Sequence, residues 1–202
     1  MQHSWLEQIT LKGSNVSLVP LTLSHRAGLL NAASDGELWN LWFTSVPSEK
    51  NIDSYLETAL NNGHMLPFTV KDANGKIIGS TRFCNSEPNH LRLEIGHTWY
   101  AKSTQRTGVN TECKLLLLTH AFEVLNCNAV EFRTHYFNTN SRNAIARLGA
   151  KQDGILRNHR MDKDGALRDT VVFSILKSEW PVVKKHLNLI SIRKLPIEPR
   201  SL

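Results

Sequence analysis

The sequence predicts an α/β fold: a single mixed, mostly antiparallel sheet of about seven strands, flanked by helices. Three observations predict it. Short apolar runs alternate with polar residues, as in Leu91, Leu93 and Ile95 set against Arg92, Glu94 and Gly96, which is the period of a half-buried strand. Other segments repeat at helical spacing. Ile52, Tyr55, Leu56, Ala59 and Leu60 form one apolar stripe, and Leu115, Leu118, Phe122 and Leu125 form another. The segments follow one another as β, αα, βββ, α, β, α, ββ, an order that packs helices on one sheet.

Residues 16–21 make the first strand. Ser24 is placed to cap a helix over 24–33. Residues 37–47 hold Trp39, Trp42 and Phe43 with little regularity, and Ser48 then caps a second helix that Asn62-Gly63 ends. Residues 68–71 and 77–84 form a hairpin around Asn74-Gly75, a favourable turn pair. A polar loop leads to the fourth strand, 91–100. A second polar loop then opens the helix 111–125. Residues 130–134 are the fifth strand, and 140–148 a short helix stopped by Gly149. The hairpin 154–161 and 170–176 closes the sheet around Asp162-Lys163-Asp164-Gly165. Ser178 starts a last helix, with Pro181 tolerated in its first turn.

The chain has 202 residues, enough for one domain with a substantial core, assigned to residues 1–180 and followed by a C-terminal helix and basic tail over 181–202. Hydrophobic content of 41% and charged content of 21% are ordinary for a soluble globular protein. No apolar run is long enough to span a bilayer and no leader is evident, so no membrane role is expected. Cys84, Cys113 and Cys127 are scattered, without metal-ligand spacing, as are His120 and His135, so no metal is expected and a reducing cytoplasm is the simplest location. The net charge of +6 is uneven: residues 1–150 carry +1 and residues 151–202 carry +5. That excess around Lys184, Lys185, Arg193, Lys194 and Arg200 reads as a solvated tail. No basic and aromatic residues interleave as a nucleic-acid platform requires.

The stretch Gln105-Arg106-Thr107-Gly108-Val109-Asn110 joins a strand to a helix N-terminus. The first N–H groups of a helix lack intrahelical acceptors, and the helix dipole puts positive charge at the same end. Such a turn suits a phosphate. Gly108 permits positive φ and close backbone approach, Asn110 tolerates the same region and can cap, and Arg106 can add a charge. A plain strand-to-helix turn remains the alternative.

Three segments together resemble the GNAT superfamily of acyl-CoA-dependent N-acyltransferases, in particular the branch with the ribosomal-protein N-terminal alanine acetyltransferases (RimJ/RimL-like). They are Glu94-Ile95-Gly96-His97, the loop Gln105 to Asn110, and Asn138-Thr139-Asn140-Ser141 followed by Arg147-Leu148-Gly149-Ala150. The likeness covers roughly residues 10–180. Asn110 stands where the family has a small residue, and Ile145 where many members have a tyrosine acid.

The resemblance implies splayed fourth and fifth strands with the thioester of acetyl-CoA in the gap. It implies that main-chain groups of His97, Thr98, Trp99 and Tyr100 pair with the pantetheine arm, one of them stabilising an oxyanion. Gln105, Arg106, Thr107, Gly108, Val109, Asn110 and Thr111 would hold the pyrophosphate, and Asn138 the arm where it crosses the fifth strand. Glu94 is the candidate base, or else a strand-end carboxylate paired with Arg92 or Lys102. Ser141 is the candidate partner of the leaving sulfur, or else a helix cap beside Asn140. Tyr136 is a second acid candidate or a packing residue, and His97 a proton relay or a satisfied buried histidine. Trp39 and Trp42, with Glu94 and Tyr136, would contact the acceptor, or else pack. The reaction implied is acetyl transfer to a primary amine by direct attack in a ternary complex, with a peptide or protein N-terminus as acceptor. The alternatives are a small-molecule amine (polyamine, amino acid, antibiotic or aminoacyl nucleotide) or a non-catalytic binding module. A homodimer through the closing strands is a family-based expectation.

Overall fold

The structure, a computed structural model, describes residues 5–162 and 164–192. The tail residues Arg193, Lys194 and Arg200 lie outside them. The sheet has eight strands rather than seven, in the order β1-β2-β3-β4-β5-β6-β8-β7. They are β1 (Leu11–Lys12), β2 (Val16–Pro20), β3 (Leu66–Asp72), β4 (Ile77–Glu87), β5 (Arg92–Tyr100), β6 (Ala129–His135), β7 (Lys151–Met161) and β8 (Leu167–Leu176). The additional strand is β1, which pairs only Leu11 with Leu18 and Lys12 with Ser17. Two residues are too few to carry a period, so nothing in the sequence marks them. Every pairing is antiparallel except β5 with β6. The helix between those two strands makes the crossover a parallel pair requires.

Among the described residues five helices cover the sheet: α1 (Arg26–Ser34), α2 (Ile52–Leu60), α3 (Val109–Thr119), α4 (Thr139–Arg147) and α5 (Trp180–Ile192). One face carries the larger core, where Phe68, Phe83, Leu93, Ile95 and Phe132 from strands meet Leu117 and Leu118 of α3 and Trp180 and Leu187 of α5. Leu29 and Ala33 of α1, with Ile52 and Leu56 of α2, form a smaller core on the opposite face around Trp99. Strands β3 and β4 are therefore buried on both sides, which is why their sequences show little alternation. Because Trp180, Val183 and Leu187 sit in the larger core, α5 is packed into the domain.

Several helix ends differ from the spacing argument. Thr22, not Ser24, caps the first helical segment, in a reciprocal capping box with His25. Asn51 takes the position expected of Ser48, and its Oδ1 accepts from the Ser48 N–H at 2.7 Å and Oγ at 3.1 Å. Helix α3 ends at Thr119, and His120–Val124 continues as one wide π turn. Gly149, at φ +99, stops α4 in a conformation that favours glycine.

Leu117 is fully buried under the sheet and Leu189 is half-exposed. Leu117→Ala is expected to lower unfolding free energy by about 2–5 kcal/mol. Leu189→Ala should stay within about 0.5 kcal/mol of the parent in denaturant titrations.

Candidate active site

The β5–β6 ladder holds for three pairs only: Arg92 with Ala129, Leu93 with Val130, and Glu94 with Glu131. Beyond Glu94 the strands part, although β5 runs on to Tyr100 and β6 to His135. On its other side β5 stays paired to β4, with a bulge. Ser80 pairs with Trp99 and Arg82 with Gly96, so His97 and Thr98 together oppose Thr81. His97 takes φ +50 there. The bulge turns β5 away from β6 and leaves its main chain facing an open gap.

The loop after β5 is solvent-exposed from Gln105 to Thr107 and leads straight into α3. Gln105 Nε2 donates to the Tyr100 carbonyl at 2.9 Å. Thr107 Oγ1 donates to Thr104 O at 2.6 Å and accepts from the Val109 N–H at 3.2 Å. The expectation for Gly108 is corrected: it has φ −72 and is the N-cap, while Arg106 takes the left-handed conformation at φ +64. The threonine turn reverses the chain before Gly108 is reached. Asn110 lies inside the first helical turn and is not the cap. The N–H groups of Gly108, Asn110 and Thr111 still precede any intrahelical acceptor. Asp35, just after α1, fastens the loop: its carboxylate accepts from Ser103 N at 3.2 Å and Oγ at 2.5 Å, and its carbonyl accepts from the Lys102 N–H at 3.0 Å. The side chains of Trp99 and Tyr100 are buried, so only their main chain is free to meet a ligand. An exposed loop, a helix start and an unpaired strand edge in one line fit a diphosphate joined to an extended arm.

Glu94 projects from β5 onto the α1–α2 face and is 8% exposed. Its Oε2 accepts from Asn85 Nδ2 at 2.7 Å, and Arg133 Nε lies 3.6 Å away. Neither Arg92 nor Lys102 is its partner, since Arg92 binds Glu131 instead. Burial raises the Glu94 pKa, opposed by the Asn85 hydrogen bond and Arg133 and reinforced by Glu131. Gly96 makes room for it. A Cβ at position 96 would fall 2.8 Å from Glu94 Oε1 and 3.0 Å from Cys84 Sγ. The Cys84 thiol is pushed well up by burial, so it is no nucleophile. His97 is exposed, so it is not the satisfied buried histidine of the alternative reading, and its ring lies near Arg82 and Arg160. Partial desolvation and those two guanidiniums lower its pKa.

Asn138 caps α4, its Oδ1 accepting from the Ser141 N–H at 3.0 Å. The cap is therefore Asn138, neither Asn140 nor Ser141, and the Ser141 hydroxyl has no hydrogen-bond partner among the described residues. Ile145 is buried below it. Tyr136 is half-exposed, with the Arg142 guanidinium 4.9 Å over its ring. Trp39 packs against the smaller core, whereas Trp42 is exposed and sits edge-on to His135 at 4.8 Å. No group of His, Cys, Asp or Glu among the described residues could hold a metal ion.

Two charged residues that the apolar patterns hid belong to this region. Arg82, on the Glu94 face, is 1% exposed, has no carboxylate partner among the described residues, and lies 4.6 Å over the Tyr55 ring. Lys114 of α3 is 4% exposed beneath the bulge. Its Nζ donates to Thr98 Oγ1 at 2.7 Å and, more weakly, to Thr81 Oγ1 at 3.5 Å, and it approaches the Phe132 ring across the gap at 6.0 Å. No carboxylate neutralises it among the described residues, and burial lowers its pKa to about 8. Position 114 lies four residues before Leu118, so it falls on the buried stripe that the leucines define.

Unfolding returns Lys114 to its ordinary value of 10.5, so between about pH 8 and 10.5 the unfolded chain binds more protons and stability rises with pH. Lys114→Met is expected to be more stable than the parent at pH 7 by on the order of 2–3 kcal/mol. The difference should vanish towards pH 10.5, as read from denaturant midpoints at both pH values.

The description "Acetyltransferase (GNAT) domain" matches residues 15–151. YdaF of Bacillus subtilis (strain 168), named for ribosomal N-acetyltransferase activity, is 32% identical over 146 residues, covering 69% of this chain and 78% of that protein. A crystal structure of an acetyltransferase from T. thermophilus superposes with TM-score 0.82 at 35% identity, covering 92% and 98% of the two chains. A GCN5-related N-acetyltransferase from Brucella melitensis superposes with TM-score 0.83 at 30% identity, covering 92% and 86%. More distant structures share the fold. Mycobacterium smegmatis RimJ, solved with CoA-disulfide, has TM-score 0.72 at 23% identity. With the parted strands and the exposed loop at the start of α3, the family match makes the conclusion plain: the chain belongs to the GNAT acetyltransferases, enzymes that use acetyl-CoA as acyl donor.

Proposed function

We propose that this enzyme transfers the acetyl group of acetyl-CoA to the N-terminal amine of a peptide or protein, by direct attack in a ternary complex. The carrying observation is the end of β5–β6 pairing at Glu94 and Glu131, with the loop 105–108 and the start of α3 in line beyond it. When bound, acetyl-CoA supplies an activated thioester whose carbonyl the amine attacks. The N–H groups of Gly108, Asn110 and Thr111 would hold the diphosphate, with the Arg106 guanidinium beside it. The unpaired main chain of His97 to Tyr100 would hold the arm as an added strand. Asn138 Nδ2, left free by the cap on Oδ1, would donate to an amide carbonyl of the arm. A backbone N–H of the bulge, over the Lys114 ammonium, would face the developing oxyanion.

Glu94, its pKa raised by burial, would take the amine proton directly or through water. An α-amine has an ordinary pKa of about 7.7–8.0, whereas neutralising a lysine near pH 7.5 costs roughly 4 kcal/mol. A weak base is therefore enough for an α-amine. Ser141 Oγ, without a partner of its own among the described residues, would hydrogen-bond the departing sulfur where Ile145 offers no acid. The groove carries more arginine than carboxylate: Arg92 and Arg133 bind Glu131, Arg133 also approaches Glu94, and Arg82 on the same face has no carboxylate partner among the described residues. That excess of positive charge disfavours a polyamine.

Equilibrium titration is expected to give saturable acetyl-CoA binding; its absence at millimolar ligand would defeat the reading. Ser141→Ala should lower kcat at least tenfold more than acetyl-CoA affinity, and equal losses in both would make Ser141 a binding residue. Glu94→Gln is expected to lower kcat/KM about 10²-fold. In the parent, activity should rise with pH through a midpoint above the usual glutamate range, because the base works when deprotonated, and the variant should lose that limb.

A further inference from the structure

We propose that a pocket beside His135 is the side-chain subsite of the acceptor, and that it takes an oxygen-bearing aromatic ring, as in tyrosine, carried at the third or fourth residue of a peptide. The inference rests on the acetyltransferase reading and names what that reading leaves open. The pocket has a volume of about 590 Å³ and lies between the Trp42 segment, the end of β6 and the β7–β8 hairpin. Trp42 and Phe137, 62% and 66% exposed, form its aromatic wall with ring centroids 6.2 Å apart. Ile155 and Leu167 add apolar surface. Two large aromatic side chains are left in water around a concave space, an arrangement suited to a third ring.

The floor carries a second, independent signal. His135 is 4% exposed, and its Nδ1 accepts from the Phe137 N–H at 3.0 Å, which puts the ring proton on Nε2. That buried Nε2 has no hydrogen-bond partner among the described residues; Asp162 Oδ2 is 3.5 Å away. Arg168 Nε, also buried and without a hydrogen bond, lies 3.4 Å from Asp162 Oδ1. Two N–H donors thus converge on one carboxylate that satisfies neither, and an acceptor oxygen on an incoming ring would meet that deficit. Charge argues against a cationic occupant. Arg157 pairs with Asp169 at 2.5 Å and Arg168 faces Asp162, so the pocket carries no excess of anions.

Position along the chain follows from the sheet. Glu131 pairs with Glu94, and His135 lies four residues farther along the same face of β6, about 13 Å away. An extended peptide with its amine at Glu94 covers that distance with the side chain of its third or fourth residue.

The test uses the full chain, acetyl-CoA and short peptides with a free N-terminal amine, carrying Ala, Leu, Phe or Tyr singly at positions 2, 3 and 4. Release of free thiol is expected to show KM at least tenfold lower for Tyr than for Ala at position 3 or 4, with Phe between and kcat little changed. Trp42→Ala and Phe137→Ala, both at exposed positions, should bring the Tyr peptide to the KM of the Ala peptide while acetyl-CoA affinity stays at the parent level. A flat panel, or a tyrosine preference that survives both substitutions, overturns the inference while acetyl-CoA binding and thiol release persist. Loss of acetyl-CoA binding in the parent would instead overturn the acetyltransferase reading beneath it.

Discussion

The interruption of hydrogen bonding between β5 and β6 is the constraint on which the rest of this molecule depends. A parallel pair would normally run the length of both strands. Here it ends at Glu94 and Glu131, and the bulge at His97 and Thr98 bends β5 away. The result is a strand edge inside the sheet, with donors and acceptors that have no ladder partner across the gap among the described residues. Such an edge is costly in a folded protein unless something else pairs with it. The loop anchored at Asp35 and the first turn of α3 close one end of the gap, and the polar face holding Glu94 lies beside it.

Electrostatics around the gap follow one pattern. Lys114 and Arg82 are almost fully buried without carboxylates, Glu94 is buried with its pKa raised, and His135 Nε2 and Arg168 Nε go without hydrogen bonds among the described residues. None of these arrangements favours folding. They cluster at the bulge, the groove and the mouth of the hairpin pocket, while the cores made by Leu18, Phe68, Leu117 and Phe132 are apolar and well filled. Unsatisfied groups gathered along the parted strands and beside the hairpin point to chemistry or binding there.

Much of the architecture is legible in the sequence because it rests on local periodicity. Arg92 to Ile95 alternate as a strand must, although Leu91 at φ +51 falls just before it, and the Ile52 to Leu60 stripe is a helix. The hairpin turns where Asn74-Gly75 stands, but on Ala73 and Asn74, with Gly75 next at φ +81. The position of the loop before α3 is equally readable from the switch of period around residue 105. What is not legible depends on tertiary contacts. Strand β1 is two residues long and exists because β2 offers an edge. Gly108 has the residue type for a left-handed turn, yet Thr107 and Arg106 make the reversal first. Lys114 lies on a buried stripe, but a lysine there reads as solvent-facing until Thr98 and Thr81 are seen above it. The pocket at His135 joins residues 42, 135 and 168, which no local pattern connects.

Asp35 ties the two halves of the cleft together. It sits where α1 ends, on the face that carries the groove, and it grips Lys102 and Ser103 on the loop before α3. Three hydrogen bonds thus make the floor of one binding region mechanically continuous with the rim of the other. A shift at the end of α1 would reach the loop before α3 through these contacts, and any change that one ligand made in the affinity of the other would be reciprocal.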